Sequence, residues 1–200
     1  MNNKISTYHL FIIFFLVSIC GFIIETMYML IQFNIIQDRG FLTLPLCPIY
    51  GGSVILSYLL LGTPKNGTVQ KLISKYSKSY IPCYLYYFIF VTIIASLVEY
   101  LVGTISKDLM HVELWTYRSV KYNLNGHIAL RYSLIWGLLI TTFMSLLFTT
   151  LCNLIIKIKK DTAKTIAVSL AIILVYDYIF NILFLLRNGY HFDIIRILLD

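Results

Sequence analysis

Residues 39–51 read Arg39, Gly40, Phe41, Leu42, Thr43, Leu44, Pro45, Leu46, Cys47, Pro48, Ile49, Tyr50 and Gly51. Pro45 and Pro48 lack a backbone donor and clash with the preceding turn, so this stretch is no ordinary helix interior. It interrupts a chain that is otherwise mostly apolar. Its arginine, cysteine and glycines mark a polar site close to one face of a membrane protein.

The composition around it supports that setting. The chain has 200 residues, of which 59% are hydrophobic and 12% charged, and the mean hydropathy is +0.82. Soluble domains average roughly 45–50% apolar and about 25% charged. Several apolar runs reach the ~20 residues that cross a bilayer. The net charge of +7 does not point to nucleic acid, because the lysines cluster in two short links between apolar runs. That is the positive-inside pattern.

Five runs are expected to be spans. They cover about 8–33, 46–62, 81–105, 128–156 and 166–186. The links after the second and fourth hold Lys65, Lys71, Lys75 and Lys78, and Lys157, Lys159, Lys160 and Lys164. With Lys4 these fall on one side, the cytoplasm if lysines stay inside. The N-terminus is then cytoplasmic and the C-terminus outside. The first run is too long for a signal core and is expected to be retained. The five arginines, 39, 118, 131, 187 and 196, fall on or near the outer face, against the rule. A guanidinium fork suits carboxylate or phosphate partners, and for Arg187 and Arg196 solvation explains the position.

The opening stretch has a twin. Residues 39–51 align without a gap on residues 125–137, Asn125-Gly-His-Ile-Ala-Leu-Arg-Tyr-Ser-Leu-Ile-Trp-Gly137. Gly40, Leu44, Ile49 and Gly51 recur, Cys47 meets Ser133, and Tyr50 meets Trp136. Upstream, Gly21-xxx-Glu25 resembles Ala95-xxx-Glu99. Both hairpins run in the same direction, which makes a parallel repeat about an axis along the membrane normal. The expected fold is an all-α polytopic membrane bundle of about five spans in a single domain. Repeat one covers about 8–62, repeat two about 81–156, and a C-terminal span about 166–186. If helical, Cys47, Tyr50 and Gly51 share one face at i, i+3 and i+4.

Three acids, Glu25, Glu99 and Asp177, lie inside apolar runs. Intramembrane acids cost at least ~2.5–3.5 kcal/mol on insertion scales and usually face a partner or a cavity. A binding or proton-handling cluster with Arg39 and Arg131 and a set of structural ion pairs explain Glu25 and Glu99 equally well. Asp177, with Asn181 one turn on, fits a structural role better. Trp115 and Tyr117 fit an interfacial belt. Asn123, Asn125, Gly126 and His127 read as a turn leading into the fourth span. Cys47 is a nucleophile only with a base beside it, and its twin Ser133 favours packing. The four cysteines, Cys20, Cys47, Cys83 and Cys152, have no CxxC spacing, so neither a metal nor a disulfide framework is expected. The candidate polar pocket comprises Glu25, Arg39, Cys47, Tyr50, Glu99, Trp115, Tyr117, Asn123, His127, Arg131, Ser133 and Trp136. No catalytic residue and no cofactor is assigned.

The same residues resemble a known family of bacterial membrane proteins, the Putative ABC-transporter type IV proteins. The family's pattern looks like G-W-x-x-E, then R-G-F-L-x-G-P-x-C-P-I-Y-G, a glutamate, W-D-Y-S, and N-x-x-G-R-I ahead of a serine and W-G. Here it is met by Gly21, Glu25, Arg39 to Leu42, Pro45, Cys47 to Gly51, Glu99, Gly103, Trp115, Tyr117, Asn123, Gly126, Ile128, Ser133, Trp136 and Gly137, over about residues 11–140. Phe22, Leu44, Thr116 and His127 depart from it. The last two replace opposite charges, which suggests a pair lost together. The resemblance implies a permease-like subunit. There is no G-x-x-x-x-G-K-[ST] loop, so an ATPase would be a separate protein docking on the lysine-rich links. The bilayer and a homo-oligomer are further partners to consider. An outer-leaflet enzyme acting on lipid or peptide, and a membrane scaffold, are the alternatives to transport.

Overall fold

In the computed structural model, residues 5–37, 40–76, 79–190, 192 and 196–198 are described. Arg39 lies outside them, as do Lys4, Asp38, Lys78, His191 and Asp193. The chain is all-α apart from two short two-stranded pairings. Its helices are α1 (Thr7–Phe33), α2 (Pro48–Leu61), α3 (Thr68–Ile73), α4 (Tyr80–Asp108), α5 (Leu130–Leu146), α6 (Phe148–Ile155) and α7 (Lys160–Asn188). The strands are β1 (Ile35–Gln37), β2 (Asn123–Leu124), β3 (Ile128–Ala129) and β4 (Arg196–Leu198). By length and apolar composition α1, α4 and α7 can each cross a bilayer. So can α5 and α6 taken together, although they are bent by 52°.

The bend falls inside the fourth expected run, about 128–156. No proline or glycine marks it. Instead Phe148 is 1% exposed, tilted against Tyr58 at 4.8 Å and edge-on to Phe143 at 6.2 Å. Just before the bend the Ser145 hydroxyl bonds back to the Thr141 carbonyl at 2.6 Å, a contact that often bends helices.

Two compact units form. One comprises Met1–Gly51 with Ile155–Asp200, the other Gly52–Leu154. In the first, α1 and α7 lie side by side and parallel. At one end His9 closes a capping box with Ser6, and its Nε2 meets the Ile158 carbonyl at 3.0 Å. The Ser6 N–H donates to Nδ1, so Nε2 carries the proton and is the donor to Ile158. At the other end β1 pairs antiparallel with β4, Ile35 opposite Leu198 and Gln37 opposite Arg196. Asn34 ends α1 in the left-handed region at φ 57°, which asparagine tolerates.

In the second unit α4 and α5 form an antiparallel hairpin. Gly137 of α5 fits against Thr92 and Phe88 of α4, leaving no room for a Cβ. Between the helices, β2 and β3 make a hairpin whose turn uses positive φ at Asn125 (56°) and Gly126 (77°).

The buried faces are regular. On α1 they include His9, Ile13, Val17, Gly21 and Met29. On α4 they include Cys83, Tyr87, Val91, Ala95, Glu99 and Gly103. Both follow an i, i+4 ridge, the row that packs into a neighbouring groove. Glu25 occupies the missing step of the α1 ridge. The opposite faces carry exposed leucine, isoleucine and phenylalanine, such as Ile31, Ile81 and Leu186. In water so much apolar surface would aggregate; in lipid it is at home.

Candidate functional site

The two prolines do what their chemistry predicts. Pro48 sits at the first helical position, where a missing N–H costs nothing, and α2 starts there. Cys47 therefore precedes the helix instead of sharing its face with Tyr50 and Gly51. Its carbonyl accepts the Tyr50 N–H at 3.1 Å, and its own N–H donates to the Ser18 carbonyl at 3.0 Å. Upstream, the Thr43 hydroxyl donates to Asp177 Oδ1, and the Leu44 N–H donates to Oδ2 at 3.2 Å.

These contacts set the path of the segment. At ~1.5 Å per helical residue, Ser18 stands about 14 Å along the bundle from His9, and Asp177 about 28 Å from Ile158. His9 and Ile158 are in contact, so they share a level. Asp177 therefore lies further along the bundle than Ser18. The chain between Thr43 and Cys47 is non-helical and bent, with the Leu46 N–H bonded to the Leu44 carbonyl at 2.6 Å, and α2 begins near the middle of α1. Leu42 and Leu46, each 2% exposed, anchor the unwound part.

Glu25 is met by this segment. The Tyr50 hydroxyl donates to Glu25 Oε1. Gly21 makes this possible, because any Cβ there would strike the Tyr50 ring. Gly51 fits equally tightly against Phe14 and Ser18.

The second unit holds Glu99, 6% exposed, on the buried ridge of α4. Tyr117 donates its hydroxyl to Glu99 Oε1 at 2.9 Å, and its ring stacks on Tyr132 at 4.6 Å. The loop that delivers Tyr117 is braced at several points. Its N–H bonds to the Gly126 carbonyl at 2.8 Å, Trp115 Nε1 donates to the His127 carbonyl at 2.9 Å, and Asn123 Oδ1 accepts the Gly126 N–H at 3.1 Å. Trp115 thus braces the loop and Tyr117 supplies a donor to Glu99. His127, 5% exposed, packs on Gly103 and edge-on to Tyr100. The Tyr117–Gly126 backbone bond brings the two stretches together at that point, and the Thr116 hydroxyl lies close to Gly126.

Other candidates fall elsewhere. Arg131 is exposed and forms no ion pair with Glu99. It lines a cleft of about 590 Å³ with Lys121, Tyr122 and Leu134. A second cleft of about 490 Å³ is lined by Tyr100, Lys107, Arg118, Asn123 and His127. Arg118 meets Glu113 at 3.1 Å with both side chains well exposed, a pairing worth little. Ser133 is buried on α5 and Trp136 half-buried. Cys47 is 7% exposed.

The structure thus presents two phenol–carboxylate centres, Tyr50–Glu25 and Tyr117–Glu99, one in each compact unit. Sequence reasoning missed Thr43 and Ser18. Thr43 had a usable signal, a lone hydroxyl within a proline-broken apolar run. Ser18 had none, because its part is played by the backbone.

No curated protein and no solved structure matches the chain. The pattern of the Putative ABC-transporter type IV family matches residues 12–182, across the glutamate-bearing helices, the unwound segment and α7, and the chain is a membrane protein that belongs to this family.

Proposed function

We propose that the chain is a permease-like transport component, and that the unwound segment between Thr43 and Cys47 is its working element. The single observation that carries this is the helix start near the middle of α1, beside a half-buried glutamate. Irregular backbone at membrane depth is tolerated where protein buries it or where it lines a cavity. Transporters use such broken helices, with polar side chains beside them, to hold substrates and coupling ions. Glu25 and Glu99 carry the charge or the proton in this reading, with Tyr50 and Tyr117 as their partners. Arg39 and Arg131 are the cations offered to a carboxylate or phosphate. The buried thiol of Cys47 lends the membrane-enzyme alternative no support.

Five crossings and two parallel hairpins complete the reading. Parallel α1 and α7 call for an odd number of crossings between them, which α2, α4 and the α5–α6 pair supply. The shift along the sequence that carries Glu25 to Glu99 also carries Phe14 to Phe88 and Ser18 to Thr92. Those are the residues that meet Gly51 in one hairpin and Gly137 in the other. The same shift carries the α1 ridge, His9 to Met29, onto the α4 ridge, Cys83 to Gly103. In both hairpins the hydroxyl beside the glycine bonds back one turn, Ser18 to Phe14 and Thr92 to Phe88. The lysine-rich links, with α3 and α6 beside them, face the cytoplasm and offer a dock to a separate ATPase.

The test is purification of the tagged chain in mild detergent and in lipid nanodiscs, with co-purifying proteins and lipids identified by mass spectrometry. A stoichiometric nucleotide-hydrolysing subunit, lost when the lysines of either link are changed to glutamate, is expected. Recovery of the chain with a chemically modified lipid and no such subunit overturns the reading in favour of an enzyme.

A further inference from the structure

Asp177 is 6% exposed on an apolar helix long enough to cross a membrane. Its donors are the Thr43 hydroxyl, the Leu44 N–H at 3.2 Å and Asn181 Nδ2 at 3.4 Å. None is charged, and among the described residues the ion pair formed is Arg118 with Glu113. An ionised carboxylate buried in a membrane without a cation is costly, and protonation removes that cost. A second atom points to the same ligand. Asn181 is 1% exposed. Its Nδ2 serves the Asp177 carbonyl at 2.9 Å as well as Oδ1, while its own Oδ1 accepts from nothing. A buried acceptor without a donor is rare in a folded protein. A proton on Asp177 provides that donor from the adjacent turn of the same helix.

We propose that Asp177 is a proton-binding site whose occupancy loosens the unwound segment of the second span. The ionised form accepts from both Thr43 and Leu44. A proton taken from water adds to one carboxylate oxygen, and the new O–H turns to Asn181 Oδ1. Thr43 and Leu44 then face a neutral acceptor, to which hydrogen bonds are roughly half as strong. Among the described residues, the titratable groups nearby are these. On α1, His9 is engaged by Ser6 and Ile158 at the far end, Glu25 by Tyr50, and Tyr8, Cys20 and Tyr28 complete the set. On α7, Tyr176 and Tyr178 flank Asp177, and the Tyr178 ring lies against Phe41 at 5.4 Å. The segment itself brings Cys47 and Tyr50. The site does not rest on the transport reading.

The experiment uses the full chain in nanodiscs with Cys20, Cys83 and Cys152 changed to alanine, leaving Cys47 as the one thiol, next to the segment. The probe is 4,4′-dithiodipyridine, which reacts with thiols in acid as well as at neutral pH. Normalised to glutathione at each pH, Cys47 labelling is expected to rise roughly tenfold on acidification, as both charge-assisted bonds weaken. Asp177→Asn is expected to label fast at every pH, with no step. Infrared spectra follow the carboxylic-acid carbonyl band. It should grow on acidification, persist in Glu25→Gln and vanish in Asp177→Asn. Thr43→Val, which leaves the carboxyl in place, should keep the band and raise Cys47 labelling at neutral pH by removing one of the segment's bonds to Asp177. The proposal is overturned if the band survives Asp177→Asn, if Thr43→Val labels like the parent at neutral pH, or if labelling has the same pH profile in the parent and Asp177→Asn.

Discussion

The backbone N–H of Cys47 donates to the carbonyl oxygen of Ser18 at 3.0 Å, although Ser18 lies in the central third of α1. That bond ties the start of α2 to mid-helix. The Ser18 hydroxyl is engaged with the Phe14 carbonyl at 2.8 Å, so the contact is made by main chain alone. Side-chain replacement at Cys47 should therefore be mild. Cys47→Ser is expected to fold and bind partners like the parent, with less than about 1 kcal/mol of change in detergent thermal unfolding, because the hydrogen bond survives. Loss of activity with unchanged stability would restore a chemical role for the thiol.

Two adjacent glycines should behave oppositely. A Cβ on Gly51 would collide with Phe14 and Ser18, whereas one on Gly52 meets nothing within 4 Å. Gly51→Ala should destabilise by about 1–3 kcal/mol through overpacking. Gly52→Ala should be neutral or stabilise by up to about 1 kcal/mol through helix propensity. Unfolding curves of the two variants in one detergent decide this.

The tyrosine–glutamate bonds should be of comparable weight. A hydrogen bond to a charged group is worth about 1.5–3 kcal/mol. Tyr50→Phe and Tyr117→Phe are each expected to fall in that range, and the double variant to be near the sum if the two centres act separately. A Tyr117→Phe protein as stable as the parent would argue that Trp115 and the Asn123 turn alone hold the loop.

Sidedness can be read by labelling. In a cysteine-free background, single cysteines at Lys75 and Lys159 should react only when the cytoplasmic face is opened. One at Ser119 should react from outside in intact cells. Labelling of all three from the same side would contradict one crossing by α4 and another by the α5–α6 pair.

Much of this protein was legible in its sequence because the relevant forces are local. Apolar length marks α1, α4 and α7. Two prolines within four residues mark the break before α2, since a missing N–H and a clashing ring act on the adjacent turn. The i, i+4 spacing of His9, Ile13, Val17, Gly21 and Glu25 already places the glutamate on a packing ridge. Family membership follows from the same residues. Other features depended on which distant groups meet. The alignment set Trp136 opposite Tyr50, yet it is the Tyr117 hydroxyl that donates to Glu99 Oε1, carried in by a loop that Trp115 and Gly126 hold in place. The bend at Leu147 carries no proline or glycine, and Phe148 beside it is buried against Tyr58. The depth at which α2 begins was set by Cys47 on Ser18 and by Thr43 and Leu44 on Asp177, pairings far apart in the chain. Proline chemistry decides that a helix must stop; only the tertiary contacts of the freed backbone decide how deep in the bundle the next one starts.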